Sequence, residues 1–373
     1  MPLQRFTALD VFRGLTICLM IIVNTPGNGA TTFSPLLHAS WHGFTPTDLV
    51  FPSFLFAVGN AISFVMGKWK IQPTQTVVLK IFKRTVVIFL LGYLMYWFPF
   101  VKWSNANQII AFPFEETRVF GVLQRIALCY GFAALMAYYL KPKNLVIIGI
   151  LLLIIYWVLL LAFGNTLDPF SLQGNAGQLL DKWLLSEKHL YHGEGVAFDP
   201  EGLLSTMPAI VNVIAGIVVG KFIQAKGDSY EGLTKLLIAG ALLLFAAYCV
   251  NLSFPINKKL WTSSFVLHTV GLDCIIIAII IYTINFKQIT GWAYFFEVFG
   301  RNPLFIYLLS EIIAILLYFF RANPTTSCYT WLFENMYQPM GNYIGSLLFA
   351  LSIMFFCWLV GYFLDKKKIY IKV

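Results

Sequence analysis

Long apolar segments recur along almost the whole chain and are separated by shorter polar stretches. The hydrocarbon core of a bilayer is about 30 Å thick, so a helix that crosses it needs about 20 apolar residues. Segments of this kind lie at 8–24, 47–67, 81–99, 118–140, 145–164, 206–223, 235–253, 262–284, 302–320 and 341–364. The pattern predicts an all-α polytopic membrane protein with about ten transmembrane helices in one bundle. No linker interrupts them, so residues 1–373 are expected to form a single domain.

Basic residues are unevenly distributed between the predicted loops. Lysine and arginine collect in short loops and at both chain ends, including Arg5 and Lys372, whereas most acidic residues fall in the longer loops on the other side. Cytoplasmic loops retain positive charge during membrane insertion. We therefore expect both termini to be cytoplasmic and the long loops to face outwards.

The composition agrees with this class of protein. Hydrophobic residues make up 59% of the chain, charged residues make up 12%, and the mean hydropathy is +0.75, which excludes an ordinary soluble domain. A net charge of +9 would suggest nucleic acid in a soluble protein, but here it follows from the loop distribution. The expected surroundings are therefore the lipid bilayer, with no nucleic-acid partner. The cysteines have no metal-ligand spacing, so no metal site is predicted.

The predicted outer loop between the first two helices carries groups suited to acyl transfer. The first helix ends at Asn24, a TPGNG turn follows, and the stretch LLHASWHGFTPTDLVFP contains His38, His42 and Asp48. An asparagine amide can polarise a carbonyl group, and a histidine can accept a proton. A single loop histidine is nevertheless more often solvated than catalytic. Asp48 either orients His38 or caps the second helix, and capping is the favoured interpretation.

Ionisable residues inside apolar segments are costly in a bilayer, so they are usually paired or functional. Asp10 and Arg13 are three residues apart on the first helix, which predicts an intrahelical ion pair. The others in or near helices are Arg125, His268, Asp273, Glu297, Arg301 and Glu311. For any one of them, structural pairing is the favoured interpretation.

Several segments resemble one known family. LDVFRGLTICLMIIVN and HASWHGFTPTDLVFPSFLFAVGNAISF are similar to the membrane-bound heparan-alpha-glucosaminide N-acetyltransferase family and its shorter bacterial relatives. The resemblance continues through RVFGVLQRIALCY, FDPEGLLSTMPAIVNVIAGIVVG, KKLWTSSFVLHTVG and FGRNPLFIYLLSE, and so covers nearly the whole chain. It implies a transmembrane acyltransferase domain that takes acetyl from cytoplasmic acetyl-CoA and delivers it to the amine of a terminal glucosamine on the outer side.

The resemblance also implies roles for individual residues. The histidine of the HASW element, here His38, would be catalytic, together with Asn24 at the end of the first helix. His42 departs from the family pattern and is left out of the site. His38 would act either as a general base or as a nucleophile that carries the acetyl group, and the sequence leaves both open. Asp48 is included as a catalytic candidate.

Candidate ligands for the donor follow from its phosphates, which need cations or helix N-termini. Arg13 and Arg301 lie near the predicted inner face, and Gln124, Arg125 and Asn302 are further candidates. Structural pairing with nearby carboxylates competes with this role for each arginine.

Candidate ligands for the acceptor lie in the predicted outer loops and nearby helices. Glu194 and Asp199 in YHGEGVAFDPEG suit a cationic amino sugar, and Trp261 and His268 complete the set. The alternatives are a solvated loop and an interfacial anchor for Trp261, and for Trp261 the anchor is favoured.

Two other functions remain open. A sugar transporter fits the composition, and an O-acetyltransferase of a cell-surface glycan fits the same donor and histidine. The short chain is similar to the bacterial relatives, which implies the inner membrane of a bacterium. Members of the family tend toward dimers, so a homodimer is included among the expected partners.

Overall fold

The structure is a computed structural model that describes residues 6–371, so Arg5 and Lys372 lie outside the described residues. The described part of the chain forms thirteen α-helices: α1 (Thr7–Asn24), α2 (Pro46–Trp69), α3 (Thr74–Trp97), α4 (Val122–Tyr139), α5 (Pro142–Phe163), α6 (Ala176–Leu185), α7 (Leu203–Lys226), α8 (Tyr230–Asn251), α9 (Ser263–Ile281), α10 (Ala293–Arg301), α11 (Pro303–Phe319), α12 (Cys328–Leu332) and α13 (Asn342–Lys366). The all-α prediction is confirmed.

Short elements complete the secondary structure. Two antiparallel hairpins pair β1 (Val101–Trp103) with β2 (Ile109–Ala111), and β3 (Arg321–Asn323) with β4 (Thr326–Ser327). Single π-helical turns at Tyr282–Phe286 and Phe333–Tyr337 continue α9 and α12. 3₁₀ turns occur at Gly29–Thr31, Ser34–Leu36, Phe114–Glu116, Glu187–His189 and Gln338–Met340.

Most of the predicted spans are helices that suit a membrane. In the described residues, 8 helices are long and apolar enough to cross a bilayer, and 9 spans result if α10 and α11, bent by 84°, form one broken span. α3 covers the segment predicted at 81–99 but is not among these spans, because Lys80, Lys83 and Arg84 place three charges in its first half. The chain is therefore a multi-pass membrane protein.

The centre of the bundle is held by helices that approach closely at glycines. A Cβ atom at Gly59 of α2 would lie 2.0 Å from the carbonyl oxygen of Val213 in α7. One at Gly216 of α7 would lie 2.0 Å from the carbonyl oxygen of Phe56. Such close backbone approach is how helices pack tightly within lipid. A larger residue at either glycine would push α2 and α7 apart.

Peripheral helices differ from central ones in burial. Only 28% of the apolar window of α5 and 22% of that of α8 is buried inside the bundle, against 72% for α2. Their exposed faces are apolar, which suits contact with lipid tails. The larger of two hydrophobic clusters in the described residues runs from Ala8 of α1 to Cys357 of α13, and a smaller one includes Tyr156 and Phe254.

The alternating helix directions define two sides of the bundle. The His38 side holds the C-terminal end of α1, the N-terminal ends of α2, α4, α7 and α9, and the loops 25–45, 98–121, 164–202 and 252–262. The Arg301 side holds the N-terminal end of α1, the break between α10 and α11, and the C-terminal end of α13. The predicted long outer loops thus lie together on the His38 side.

Candidate active site

A cavity of about 230 Å³ opens where the His38 loop meets the ends of α1 and α2. We call it the His38 cavity. It is lined by Met20, Val23, Asn24, His38, Thr47, Val50, Phe51, Arg118, Val122, Tyr191, Glu194, Pro200, Glu201, Lys258 and Lys259. Four separate loops and helix ends therefore bring charged side chains to one place.

Asp48 holds His38 at the edge of this cavity. Asp48 is buried in the first turn of α2, and its Oδ1 atom lies 2.7 Å from Nδ1 of His38. Its Oδ2 atom accepts hydrogen bonds from the backbone amides of Thr45 at 3.0 Å and Ala39 at 3.2 Å. Asp48 thus caps α2, as the favoured interpretation had it, and also orients His38, which was the alternative.

The same contact fixes which nitrogen of His38 carries a proton. A carboxylate only accepts hydrogen bonds, so Nδ1 carries the hydrogen in the neutral ring and Nε2 keeps a free lone pair. Burial lowers the pKa of His38 below its usual range, and the charge of Lys258 acts in the same direction. The hydrogen bond to Asp48 offsets part of this effect. At neutral pH the ring is therefore an uncharged base.

Asn24 is fixed by a partner that the sequence did not suggest. It is the last residue of α1, and its Nδ2 atom donates a hydrogen bond of 3.0 Å to Oε1 of Glu311 in α11. The carboxylate requires the amide nitrogen, and not the amide oxygen, to face it. One N–H bond of Asn24 is used in this way, and the second can serve a ligand in the cavity. From the sequence, Glu311 was named as an ionisable residue in or near a helix, but not as the partner of Asn24.

Arg118 organises the acidic loop above the cavity. Its guanidinium donates to both carboxylate oxygens of Asp199, at 2.9 and 2.6 Å, and to Glu201 at 2.6 Å. It also lies over the rings of Tyr96 and Tyr191, at 5.0 and 4.7 Å. Burial opposes ionisation of Glu201, but the positive charge of Arg118 holds its pKa below the usual range.

Asp199 requires a correction. It was predicted to face an acceptor, but it is buried and both of its oxygens are occupied by Arg118. Glu201, two residues later, lines the cavity in its place. Glu194 does line the cavity, where Lys259 donates to it at 2.6 Å.

Two lysines at the cavity were missed as site residues. Nζ of Lys259 donates to the backbone oxygen of Ser40 at 2.8 Å as well as to Glu194. Nζ of Lys258 lies 3.1 Å from Nδ1 and 3.0 Å from Nε2 of His38. The available signal was their position in KKLW, a segment already included in the family resemblance.

Trp261 lies beneath the cavity, and both interpretations of it were wrong. It is 1% exposed, so its ring has no free face for a sugar or for lipid headgroups. Its Nε1 atom donates to Asn212 at 3.0 Å, and the guanidinium of Arg125 lies 4.9 Å from its ring centre. His268 packs edge-on against Phe44 at 4.5 Å and does not line the His38 cavity.

Arg125 and Gln124 lie apart from the other residues that were predicted to bind the acetyl donor. Arg125 is fully buried at the His38 side, where it donates to the oxygen of Gly202 at 3.1 Å and to Ser205. Gln124 is also fully buried and packs against Gly92 of α3. Neither side chain lines the His38 cavity or the larger cavity towards the Arg301 side. We therefore withdraw both as ligands of the donor.

A second cavity, of about 580 Å³, lies towards the Arg301 side. We call it the Arg301 cavity. Four cations line it, at Arg13, Lys68, Arg84 and Arg301, and most of its remaining wall is apolar. Met20 of α1 lines both cavities, so the two approach each other inside the bundle.

The predicted ligands in the Arg301 cavity are already partly engaged. Arg301 contacts Asp365 and Glu297, each at 2.5 Å, and Arg13 contacts Asp10 at 2.7 Å. These pairs agree with the structural pairing that was weighed against ligand binding.

Asn302 also has a structural partner. Its Nδ2 atom donates to the oxygen of Ile369 at 3.0 Å, and its Oδ1 atom accepts from the amide of Ile371 at 2.8 Å. Its side chain therefore holds the C-terminal segment, and this replaces the predicted role in binding the donor.

Lys68 and Arg84 are the cations of the Arg301 cavity that the sequence did not single out. Within the described residues, neither has a carboxylate at ion-pair distance. Arg84 lies 4.8 Å over the ring of Tyr130, which fixes its guanidinium at the cavity wall. Both cations are placed to meet an anionic ligand.

Comparison with known proteins gives the family. The sequence profile of the family described as heparan-alpha-glucosaminide N-acetyltransferase, catalytic, matches residues 5–230. The heparan-alpha-glucosaminide N-acetyltransferase of Mus musculus is 28% identical over 375 residues, covering 83% of this chain and 54% of the relative. That of Homo sapiens is 27% identical over 372 residues, covering 83% and 53%. The chain spans about half the length of the curated relatives it matches. Because the profile covers more than half of the chain, including Asn24, His38 and Asp48, the chain belongs to the heparan-alpha-glucosaminide N-acetyltransferase catalytic family.

Proposed function

We propose that this chain is a transmembrane N-acetyltransferase that moves acetyl from acetyl-CoA in the Arg301 cavity to the amine of a glucosamine in the His38 cavity. The observation that carries the proposal is the shared wall of the two cavities at Met20. A donor held on one side can thereby meet a base on the other. The names of the relatives supply the acetyl group and the glucosaminide.

The Arg301 cavity suits acetyl-CoA in its charge and in its apolar walls. Lys68 and Arg84 provide cations for the phosphates without first breaking an ion pair. Arg13 and Arg301 add positive charge while staying bonded to their carboxylate partners. The remaining wall suits an uncharged arm that carries the thioester towards Met20. Since cytoplasmic loops retain positive charge, this side would face the cytoplasm.

The His38 cavity suits a cationic amino sugar. Glu194 and Glu201 line the cavity wall, where each is paired with a cation but can still accept a hydrogen bond from an ammonium group, and the ring of Tyr191 provides an apolar face. The acceptor would therefore approach with its ammonium group near these carboxylates. On this orientation, the cavity opens to the outer side, at the inner membrane of a bacterium.

The reaction follows from the free lone pair of His38. Nε2 takes a proton from the ammonium group of the acceptor, and the freed nitrogen lone pair attacks the thioester carbonyl carbon. The second N–H bond of Asn24 stabilises the oxyanion that forms, and Asp48 stabilises the charged ring. The carbon–sulfur bond then breaks, the thiolate takes the second proton from the attacking nitrogen, and an acetamide and CoA thiol leave. The proton held on Nε2 of His38 passes to solvent, which restores the base.

The test uses the purified protein in detergent with acetyl-CoA as donor. Glucosamine should be converted to N-acetylglucosamine by the native chain, and His38→Ala should abolish the reaction. His42→Ala is the matched control, because His42 lies in the same loop, contacts Asn257 at 3.4 Å and does not line the cavity. Absence of turnover by the native chain, with sugar uptake into vesicles, would favour the transporter.

Two variations of the assay separate the remaining alternatives. Acetylation of N-acetylglucosamine, which has no free amine, would indicate an O-acetyltransferase. Incubation with labelled acetyl-CoA and no acceptor tests the direct transfer proposed above. Label retained on the His38 peptide would replace direct transfer by an acetyl-histidine intermediate.

A further inference from the structure

Lys258 differs from the other cations of the His38 cavity in having no counter-ion. Arg118 is paired with Asp199 and Glu201, and Lys259 is paired with Glu194. Within residues 6–371, Lys258 has no carboxylate at ion-pair distance, and its nearest polar partners are the two nitrogens of His38. A half-buried ammonium group with no counter-ion beside the proposed base points to an effect on that base.

The geometry of this contact is not that of a hydrogen bond along a lone pair. Nζ is 3.1 Å from Nδ1 and 3.0 Å from Nε2. A donor in line with the Nε2 lone pair would lie in the ring plane and much farther from Nδ1, so the nearly equal distances place the ammonium against the face of the ring. The lone pair of Nε2 remains open to the cavity, while a full positive charge lies beside the ring.

The acidic groups around His38 oppose Lys258, and the hydrogen bond to Asp48 acts on the ring more strongly than the charge of Lys258 does. Asp48 contacts Nδ1 from α2 and favours a charged ring, and Glu201 acts more weakly from the loop before α7. The remaining charged or titratable groups that line the cavity are Arg118, Tyr191, Glu194 and Lys259. The last two neutralise each other, and Arg118 is neutralised by its carboxylates. Lys258 is therefore the positive charge that acts most directly on the ring.

We infer that Lys258 is a positioning residue that keeps the His38 ring uncharged between turnovers and drives the proton onwards from Nε2 once the amine has attacked. The inference rests on the proposed function. Asp48 and Lys258 act on the ring in opposite directions. Asp48 fixes the tautomer and stabilises the charged ring, whereas Lys258 destabilises the charged ring and so shortens its lifetime. Burial lowers the pKa of Lys258, but Glu201 and Asp48 favour its charged form.

The first test compares Lys258→Met with Lys258→Arg over a range of pH. Only uncharged His38 can accept a proton, so activity falls as the pH drops through its pKa. Removing the neighbouring charge raises that pKa, so the acid limb of kcat/KM should move up by about one pH unit in Lys258→Met. Activity should recover at higher pH, and Lys258→Arg should leave the limb in place. A loss of equal size at every pH, with the limb unmoved, would overturn the inference.

A second test does not depend on turnover. Diethyl pyrocarbonate modifies uncharged imidazole, so the pH dependence of modification of the His38 peptide, followed by mass spectrometry, reports the charge of that ring. The midpoint for His38 should rise by about one pH unit in Lys258→Met and should stay where it is in Lys258→Arg. An unchanged His38 midpoint would refute the role of Lys258, even if acetyl transfer were confirmed. A shifted midpoint in a protein without acetyl transfer would instead refute the proposed function.

Discussion

Asp48 and His38 are joined by a contact of 2.7 Å between Oδ1 and Nδ1, and the other oxygen of Asp48 closes the first turn of α2. The loop that carries the proposed base is thus attached to a transmembrane helix by the group that sets the tautomer of its ring. Rigid attachment of this kind holds a base in productive geometry without a large motion of the loop.

Asp48→Asn should reduce kcat on the order of 10³-fold or more, while the protein stays folded. The amide oxygen of asparagine still accepts the capping hydrogen bonds, so the first turn of α2 should remain capped. Its amide can also donate to Nδ1, which would place the ring hydrogen on Nε2 and remove the base. Steady-state kinetics and thermal unfolding should be measured together.

Thr45→Ala is the control for this prediction, because Thr45 contributes to the cap without touching the ring. It should cost about 1 kcal/mol of stability with a far smaller effect on kcat. If the two variants lost stability and activity in the same proportion, Asp48 would act through the cap alone.

Asn24→Ala should lower kcat by about 10²- to 10³-fold, because one donor to the oxyanion is removed. The KM for glucosamine should change little, since the contact forms mainly in the transition state. A large rise in KM with kcat preserved would instead place Asn24 in acceptor binding.

Glu311→Gln tests whether Glu311 acts through Asn24. Glutamine can donate as well as accept, so the amide of Asn24 would no longer be held in one orientation. We expect a smaller loss than in Asn24→Ala. The double variant should be no worse than Asn24→Ala alone, because the two residues form one unit. Additive losses in the cycle would show independent roles.

Lys68→Met and Arg84→Met should each raise the KM for acetyl-CoA about tenfold with kcat nearly unchanged, because each removes one charge-assisted contact to a phosphate. The KM for glucosamine should stay constant. If the KM values for acetyl-CoA and for glucosamine changed equally, or if neither changed, the donor would not bind in the Arg301 cavity.

Arg301→Met should behave differently from these two variants. It would leave Glu297 and Asp365 without their shared partner, so the loss should appear first in thermal stability. A stable Arg301→Met protein with a raised KM for acetyl-CoA would restore Arg301 as a donor ligand.

The sequence was most informative where one local constraint determines the structure. A bilayer requires about 20 apolar residues per helix, so the ends of α1 and α2, and with them Asn24 and His38, could be placed from hydropathy alone. Both roles of Asp48 could be named from short-range spacing, since His38 lies ten residues before it, but the sequence offered them as alternatives and favoured the cap.

Contacts between distant parts of the chain could not be predicted in this way. Glu311 meets Asn24 across 287 residues, and Lys258 meets His38 across 220. Asp199 and Glu201 both bond to Arg118, but of the two only Glu201 also lines the His38 cavity, and no periodic pattern predicts that difference. Burial of Trp261 had no local signal either, because a tryptophan at a helix end suits an interface equally well.

Asp181 provides a prediction about stability and pH. It lies in α6, outside the membrane spans, and accepts a hydrogen bond from the amide of Leu203 at 3.0 Å. Burial raises its pKa to about 7. The unfolded chain ionises this group near pH 4, so the stability that the group contributes is present below that value and is lost as the pH rises to about 7.

Asp181→Asn removes this titration while the amide oxygen still accepts from Leu203. The variant should be more stable than the native protein above pH 7, on the order of 2 kcal/mol, and no more stable near pH 4. Thermal unfolding at both pH values measures this. A pH-independent difference would mean that Asp181 does not titrate in this range.

The proposed route of acetyl across the membrane requires the His38 side to face outwards. The variants His42→Cys and Lys287→Cys report on opposite sides of the bundle, in a background in which the more accessible Cys249 and Cys328 are changed to serine and the four buried cysteines are kept. In intact bacterial cells, a membrane-impermeant maleimide should label His42→Cys and leave Lys287→Cys unlabelled until the cells are lysed. Both positions lie in loops next to helix ends, so equal labelling after lysis is the control for accessibility. The reverse pattern would place the base on the cytoplasmic side, and acetyl would then reach an acceptor inside the cell.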